Sequence, residues 1–98
     1  MSDECDAIAD ILRALADPTR LRLVQLLARQ SEGQALCVRA LAGRLGISQP
    51  AVSQHLAMLR RLGLVQSERR GIRTHYFLDV QRLRANWTLA GRLLGVEG

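Results

Sequence analysis

Gln49, Ala51, Ser53 and Gln54 lie close together with the types of side chain that discriminate between flat, hydrogen-bonding rings. A glutamine amide bonds adenine bidentately, a serine hydroxyl bonds several bases, and an alanine methyl meets the methyl of thymine. Ser48 precedes this set and His55 follows it. A second chemistry belongs to arginine. Arg60 and Arg61 stand just downstream, and Arg69, Arg70 and Arg73 further on. A guanidinium fork matches phosphate oxygens. The 14 basic residues are all arginine, set against 9 acids, for a net charge of +5. Between Arg39 and Arg73 there are seven arginines and a single acid, Glu68, whereas the first ten residues hold Asp3, Glu4, Asp6 and Asp10 and no base. Runs of charge are commonly solvated faces. A polar, base-reading set beside a basic one points further, to an anionic partner contacted by the middle of the chain, with nucleic acid favoured over a membrane surface.

The third chemistry is that of thiols. Cys37-Val38-Arg39 sets a cysteine beside an arginine, and Cys5 is the other cysteine of the chain. A neighbouring guanidinium favours the thiolate, which is both a soft-metal ligand and the form that oxidants attack.

Helices are needed to position these groups. Ile8, Ile11, Leu12 and Leu15 recur at helical spacing and predict a first helix over about 5–16. Asp17 is suited to cap a second helix, with Pro18 at its first position, where a missing N–H is no loss. Leu21, Val24, Leu27 and Ala28 form its expected inward face, and Gln30-Ser31-Glu32-Gly33 its stop. A short helix over 38–45 turns Leu41, Ala42 and Leu45 inward and ends at Gly46. Ser48 caps a fourth helix with Pro50 in its first turn; Val52, Leu56 and Leu59 are its apolar stripe, and the base-reading set takes outward positions near its start. These two helices and the turn between them have the proportions of a helix-turn-helix.

After Gly63 the pattern becomes alternating. Leu64 to Arg69 and Ile72 to Leu78 read as two strands of a hairpin turning at Arg70-Gly71. Val80, Leu83, Trp87, Ala90 and Leu94 then follow a seven-residue repeat and predict a last helix over about 80–95. The expected fold is mainly α with a small β-hairpin: a winged helix-turn-helix of about five helices plus a two-stranded wing. It occupies one domain, residues 1–98. A chain of this size buries only about 60–65% of its unfolded surface, so a seam such as this one is expected to pack on a second copy.

These residues carry a resemblance. Ala14-Leu15-Ala16-Asp17-Pro18-Thr19-Arg20-Leu21-Arg22-Leu23, Leu36-Cys37-Val38, Ser48-Gln49-Pro50-Ala51-Val52-Ser53-Gln54-His55-Leu56 and Leu62-Gly63-Leu64-Val65 resemble the ArsR/SmtB family of bacterial repressors, in order and spacing, over roughly residues 7–80. The resemblance implies a homodimer, joined through its first and last helices, that represses an inverted-repeat operator in double-stranded DNA and releases it when an inducer binds. Ile8, Leu12, Leu83, Trp87, Ala90 and Leu94 are the expected interface residues, with Trp87 as an anchor.

Family members often sense thiophilic metals or metalloids through Cys-x-Cys on the third helix, joined by cysteines of the amino-terminal arm. Here Cys37 holds the first position, Arg39 replaces the second cysteine, and Cys5 stands where an arm cysteine would reach the partner's third helix. The family's other metal site, built from Asp and His on the last helix, is missing: between Val80 and Gly98 there is no histidine, and Glu97 is the only acid. The residues fix no cofactor with certainty, and a thiophilic metal or metalloid ion is the candidate ligand. Three readings of Cys37 stay open: a soft-ion ligand shared with Cys5, a redox sensor with Cys5 as resolving thiol, or a small buried side chain with an unrelated inducer. His55 reads as a packing or phosphate-contacting residue, and His75 has no Cys or Asp at ligand spacing along the chain.

Other classes find less support. Gly-rich phosphate loops, Gly-x-Ser-x-Gly and His-Glu-x-x-His are all missing, which argues against an enzyme. No apolar run approaches the ~20 residues of a membrane span, and the acidic start is unlike a secretion signal, so a cytoplasmic protein is expected. The competing reading is a winged helix that binds protein, which would present apolar residues where Gln49, Ser53 and Gln54 stand.

Overall fold

The computed structural model describes residues 3–30 and 36–96. Five helices and three short strands follow in the order α1 (Asp3–Leu15), α2 (Pro18–Ala28), β1 (Leu36–Cys37), α3 (Val38–Leu45), α4 (Gln49–Arg61), β2 (Val65–Arg70), β3 (Arg73–Leu78) and α5 (Val80–Leu93). The helix boundaries follow local chemistry. Asp17 accepts a hydrogen bond from the Arg20 backbone N–H at 2.9 Å and starts α2, with Pro18 in its first turn. Ser48 Oγ accepts from the Ala51 N–H at 3.2 Å and starts α4. Gly46, at φ 67°, ends α3 in the left-handed region that a side chain disfavours, and its N–H bonds the Ala42 carbonyl.

One core holds these elements together. Leu23 of α2, Leu41 of α3, Val52, Leu56 and Leu59 of α4, and Leu64 and Val65 at the start of the hairpin are fully buried. The stripe expected on α4 is therefore the one that packs. On α2 the expected face is corrected: Leu21 is 51% exposed, whereas Leu23 is fully buried together with Leu27. Leucines at 21, 23, 26 and 27 surround that helix, so its own pattern does not fix its rotation; packing against α3 and the sheet does. Residues 31–33 of the expected stop lie outside the described residues.

The sheet also differs from expectation, with three strands in the order β1-β3-β2 rather than two. β1 is two residues long and pairs Leu36 with Tyr76 and Cys37 with His75. So short a strand has no alternation to detect. The hairpin turns at Gly71-Ile72, one residue later than expected, because Arg70 still pairs with Arg73. Beyond the reach of β1, the hairpin continues outward as a two-stranded ribbon through Arg69↔Thr74 and Arg70↔Arg73.

Candidate nucleic-acid interface

The helix-turn-helix is α3, the Gly46-Ile47-Ser48 turn and α4. Because Val52, Leu56 and Leu59 anchor α4 to the core, its opposite face is turned to solvent. Gln54 is exposed on that face, and Gln49 and Ser53 are exposed beside the stripe, as are Ser48 at the cap and Arg60 and Arg61 at the far end; Ala51 is half-buried. Among the described residues, none of the large exposed apolar side chains falls on the first two turns of α4. The face that would have to be apolar in a protein-binding adaptor is polar.

His55 is set differently from its neighbours. It is half-buried, with Nδ1 3.3 Å from Nη1 of Arg20. Arg20 in turn donates through Nε to the Ala14 carbonyl at 2.5 Å. A guanidinium keeps its protons, so Nδ1 is the acceptor and the remaining ring nitrogen carries the proton. Arg20 thus ties the end of α1 to the middle of α4, a role that its place in the sequence does not reveal.

On the wing, Arg69, Arg70 and Arg73 are all exposed. Arg70 Nη2 lies 3.4 Å from Glu68 Oε2, and Arg69 Nε donates to the Gly71 carbonyl at 3.3 Å. Arg70 and Arg73 are cross-strand partners. Like charges directly opposite each other repel, a penalty that a phosphate between them would relieve. Exposed Arg39 and Arg44 on α3 add to this basic surface; nothing in their sequence spacing marks either as a DNA contact.

Arg39, Arg44 and Arg73 also line an open cleft of about 450 Å³ beside Cys37. The N–H groups at the start of α3, chiefly that of Ala40, together with the Arg73 charge, hold the Cys37 thiol below its ordinary pKa of 9.0 against the opposing effect of burial. The direction matches expectation, but the guanidinium responsible is Arg73; Arg39 contributes through its backbone. Cys5 is exposed on the first turn of α1. His75 stands opposite Cys37 in the sheet, a neighbour that linear spacing hid, and its Nδ1 is buried without a hydrogen-bond partner among the described residues. Among those residues no group of three His, Cys, Asp or Glu side chains converges as a metal site.

Away from this surface, α1 packs on α5. Of the residues expected at a subunit interface, Ile8 and Ala90 are buried within the chain and Leu83 packs against its core. Leu12 is exposed, and Trp87 and Leu94 remain 68% and 70% exposed. Together with Val96 these line an apolar groove of about 580 Å³. Among the described residues no helix is long and apolar enough to cross a membrane.

A reading helix held by its apolar face, followed by a basic ribbon, defines a winged helix-turn-helix DNA-binding protein. Comparison with known proteins agrees. The model of the arsR family of bacterial regulatory proteins matches residues 17–67. A probable mercury resistance operon repressor of Streptomyces lividans is 39% identical over 94% of this chain and 70% of its own length. The arsenic resistance transcriptional regulator ArsR1 of Pseudomonas putida is 43% identical over 69% of this chain, which spans 51% of that relative. The homodimeric winged helix-turn-helix DNA-binding domain of a possible ArsR-family regulator from Mycobacterium bovis superposes with a TM-score of 0.73 at 28% identity, covering 92% of this chain and 84% of that one. The chain belongs to the ArsR family of transcriptional regulators.

Proposed function

We propose that the protein is a homodimeric repressor that reads an inverted-repeat operator with α4 in the major groove and is released by an inducer acting at Cys37. The observation that carries the DNA reading is the exposed Gln49, Ser53 and Gln54 face beside the arginines of the wing. A helix fits the major groove, and residues near its start reach base edges. Ser48, Gln49, Ala51, Ser53 and Gln54 face the bases in this reading. His55, through its second ring nitrogen, and Arg60, Arg61, Arg69, Arg70 and Arg73 meet phosphates. The dimer is joined through α1 and α5, with Leu12, Trp87 and Leu94 meeting their counterparts over an interior of Ile8, Leu83 and Ala90. The homodimeric Mycobacterium bovis domain supports the pairing of two copies, and the exposed Leu12, Trp87 and Leu94 support its place.

For the inducer, the relatives named for mercury and arsenic resistance support a thiophilic metal or metalloid held by Cys37 of one subunit and Cys5 of the other. A second reading has its own support in the arginine-lined cleft and the lowered pKa of Cys37, which favour redox chemistry. In that reaction the thiolate attacks a peroxide oxygen, the O–O bond breaks, and a sulfenic acid forms while the leaving oxygen takes up a proton as water. A Cys5 thiol then displaces a second water to close a disulfide.

The DNA reading is tested by titrating binding against salt. Arg70→Ala and Arg73→Ala should each weaken binding to every sequence and flatten the slope of log affinity against log salt by about one unit. Gln54→Ala should cost about 1–3 kcal/mol and relax preference at one operator position. Unchanged slopes would remove the wing from the interface, and a uniform loss for Gln54→Ala would make it a positioning contact.

A further inference from the structure

Ile72 is 91% exposed, more than any other large apolar side chain among the described residues. Single exposed aliphatics are ordinary, but this one stands at the tip of the wing. Exposed Arg69, Arg70 and Arg73 flank it, and Gly71, at φ 63°, makes the tight turn that projects it. The alternation of β3 would have faced Ile72 inward with Thr74, Tyr76 and Leu78; instead it lies in the turn, beyond the last cross-strand pair Arg70↔Arg73. β1 reaches only Tyr76 and His75, so no third strand among the described residues covers the outer ribbon.

We infer that Ile72 is an apolar minor-groove contact of the wing, a specificity determinant acting beside the arginines. The inference rests on the DNA reading above and deepens it. The minor groove is about 6 Å wide, too narrow for the paired strands but open to a single side chain that projects from the turn. The groove offers few distinguishing hydrogen-bonding groups, but its walls are deoxyribose carbon, which an aliphatic side chain can dehydrate. β-Branching stiffens the side chain, so little freedom is lost on contact. The flanking guanidiniums hold the phosphates on either side while Ile72 presses on the sugars and the edge of a base step. Wedges of this type favour steps that unstack easily, above all flexible pyrimidine–purine steps. The wing thereby reads deformability at positions α4 does not touch.

The test uses the full chain, wild type and Ile72→Ser, on its upstream DNA and on a scrambled duplex, with dyes at the DNA ends reporting bending. Ile72→Ser should weaken operator binding roughly tenfold and reduce the bend, while the salt slope stays that of wild type because no charge is lost. Replacing the pyrimidine–purine step beneath the wing by a stiff A-tract should weaken wild type and leave the variant indifferent. If wild type prefers its operator but Ile72→Ser binds and bends it equally, the inference is overturned and the DNA reading stands. It is overturned in the same way if the substitution changes only self-association. Wild-type binding no tighter than to scrambled DNA overturns both.

Discussion

Cys37 shows how much a residue's chemistry owes to neighbours far along the chain. The Cys37-Val38-Arg39 run was legible in the sequence, and so was a thiol favoured as thiolate. The source of that shift was not. The N–H groups at the start of α3 act first, and the charge comes from Arg73, which the β1–β3 pairing brings alongside. Attack by the thiolate accelerates as pH rises through the folded pKa. The labelling rate of Cys37 by iodoacetamide should therefore follow a titration with its midpoint below 9.0. Removing a positive charge disfavours the thiolate, so Arg73→Ala should move that midpoint up. The Cys37→Ser protein should stay on DNA under the inducer that releases wild type. A midpoint unmoved by Arg73→Ala would deny the wing a hand in tuning the thiol, and release of Cys37→Ser would remove Cys37 as the sensor.

The elements were legible where the chain marks them with caps and breakers. Asp17, Gly46 and Ser48 end or begin helices where their side chains dictate, and the Val52, Leu56, Leu59 stripe fixes the rotation of α4 and hence its reading face. The rotation of α2 was not legible, because leucine occurs on every side of it, and β1 was too short to leave a pattern. Nor did any local signal announce the strut from Arg20 to Ala14 and His55. Partly buried hydrogen bonds from a charged donor are worth about 1.5–3 kcal/mol each before any discount for solvent. Arg20→Met keeps the aliphatic stem and removes the donors. It should lower the thermal midpoint by at least ~4 °C and reduce affinity for operator more than for scrambled DNA. Calorimetry and anisotropy on the same preparation check both; an unchanged midpoint with unchanged discrimination would mean that Arg20 holds nothing in place.

Across the whole molecule the chain separates its two tasks. Arginines of α3 and the wing share one cleft, and the exposed start of α4 carries the polar set, while the acidic start of α1 and the exposed apolar residues of α5 lie apart from them in sequence. The seven-residue repeat of α5 was legible, and the structure divides it by face. Leu83 and Ala90 pack inward, whereas Val80, Trp87 and Leu94 point to solvent. In the proposed dimer the outward set meets the second subunit, and a charge at its centre would be desolvated on association, so Trp87→Arg should yield a folded monomer. Dimeric operator reading is tested most directly by fluorescence anisotropy of the reduced protein on its own upstream DNA, against scrambled competitor at fixed salt, with wild type and Trp87→Arg side by side. Wild type is predicted to prefer the upstream DNA and saturate at one dimer per inverted repeat, with Trp87→Arg losing that preference. Equal affinity for scrambled DNA, or wild-type-like binding by Trp87→Arg, would contradict a dimeric operator-reading repressor.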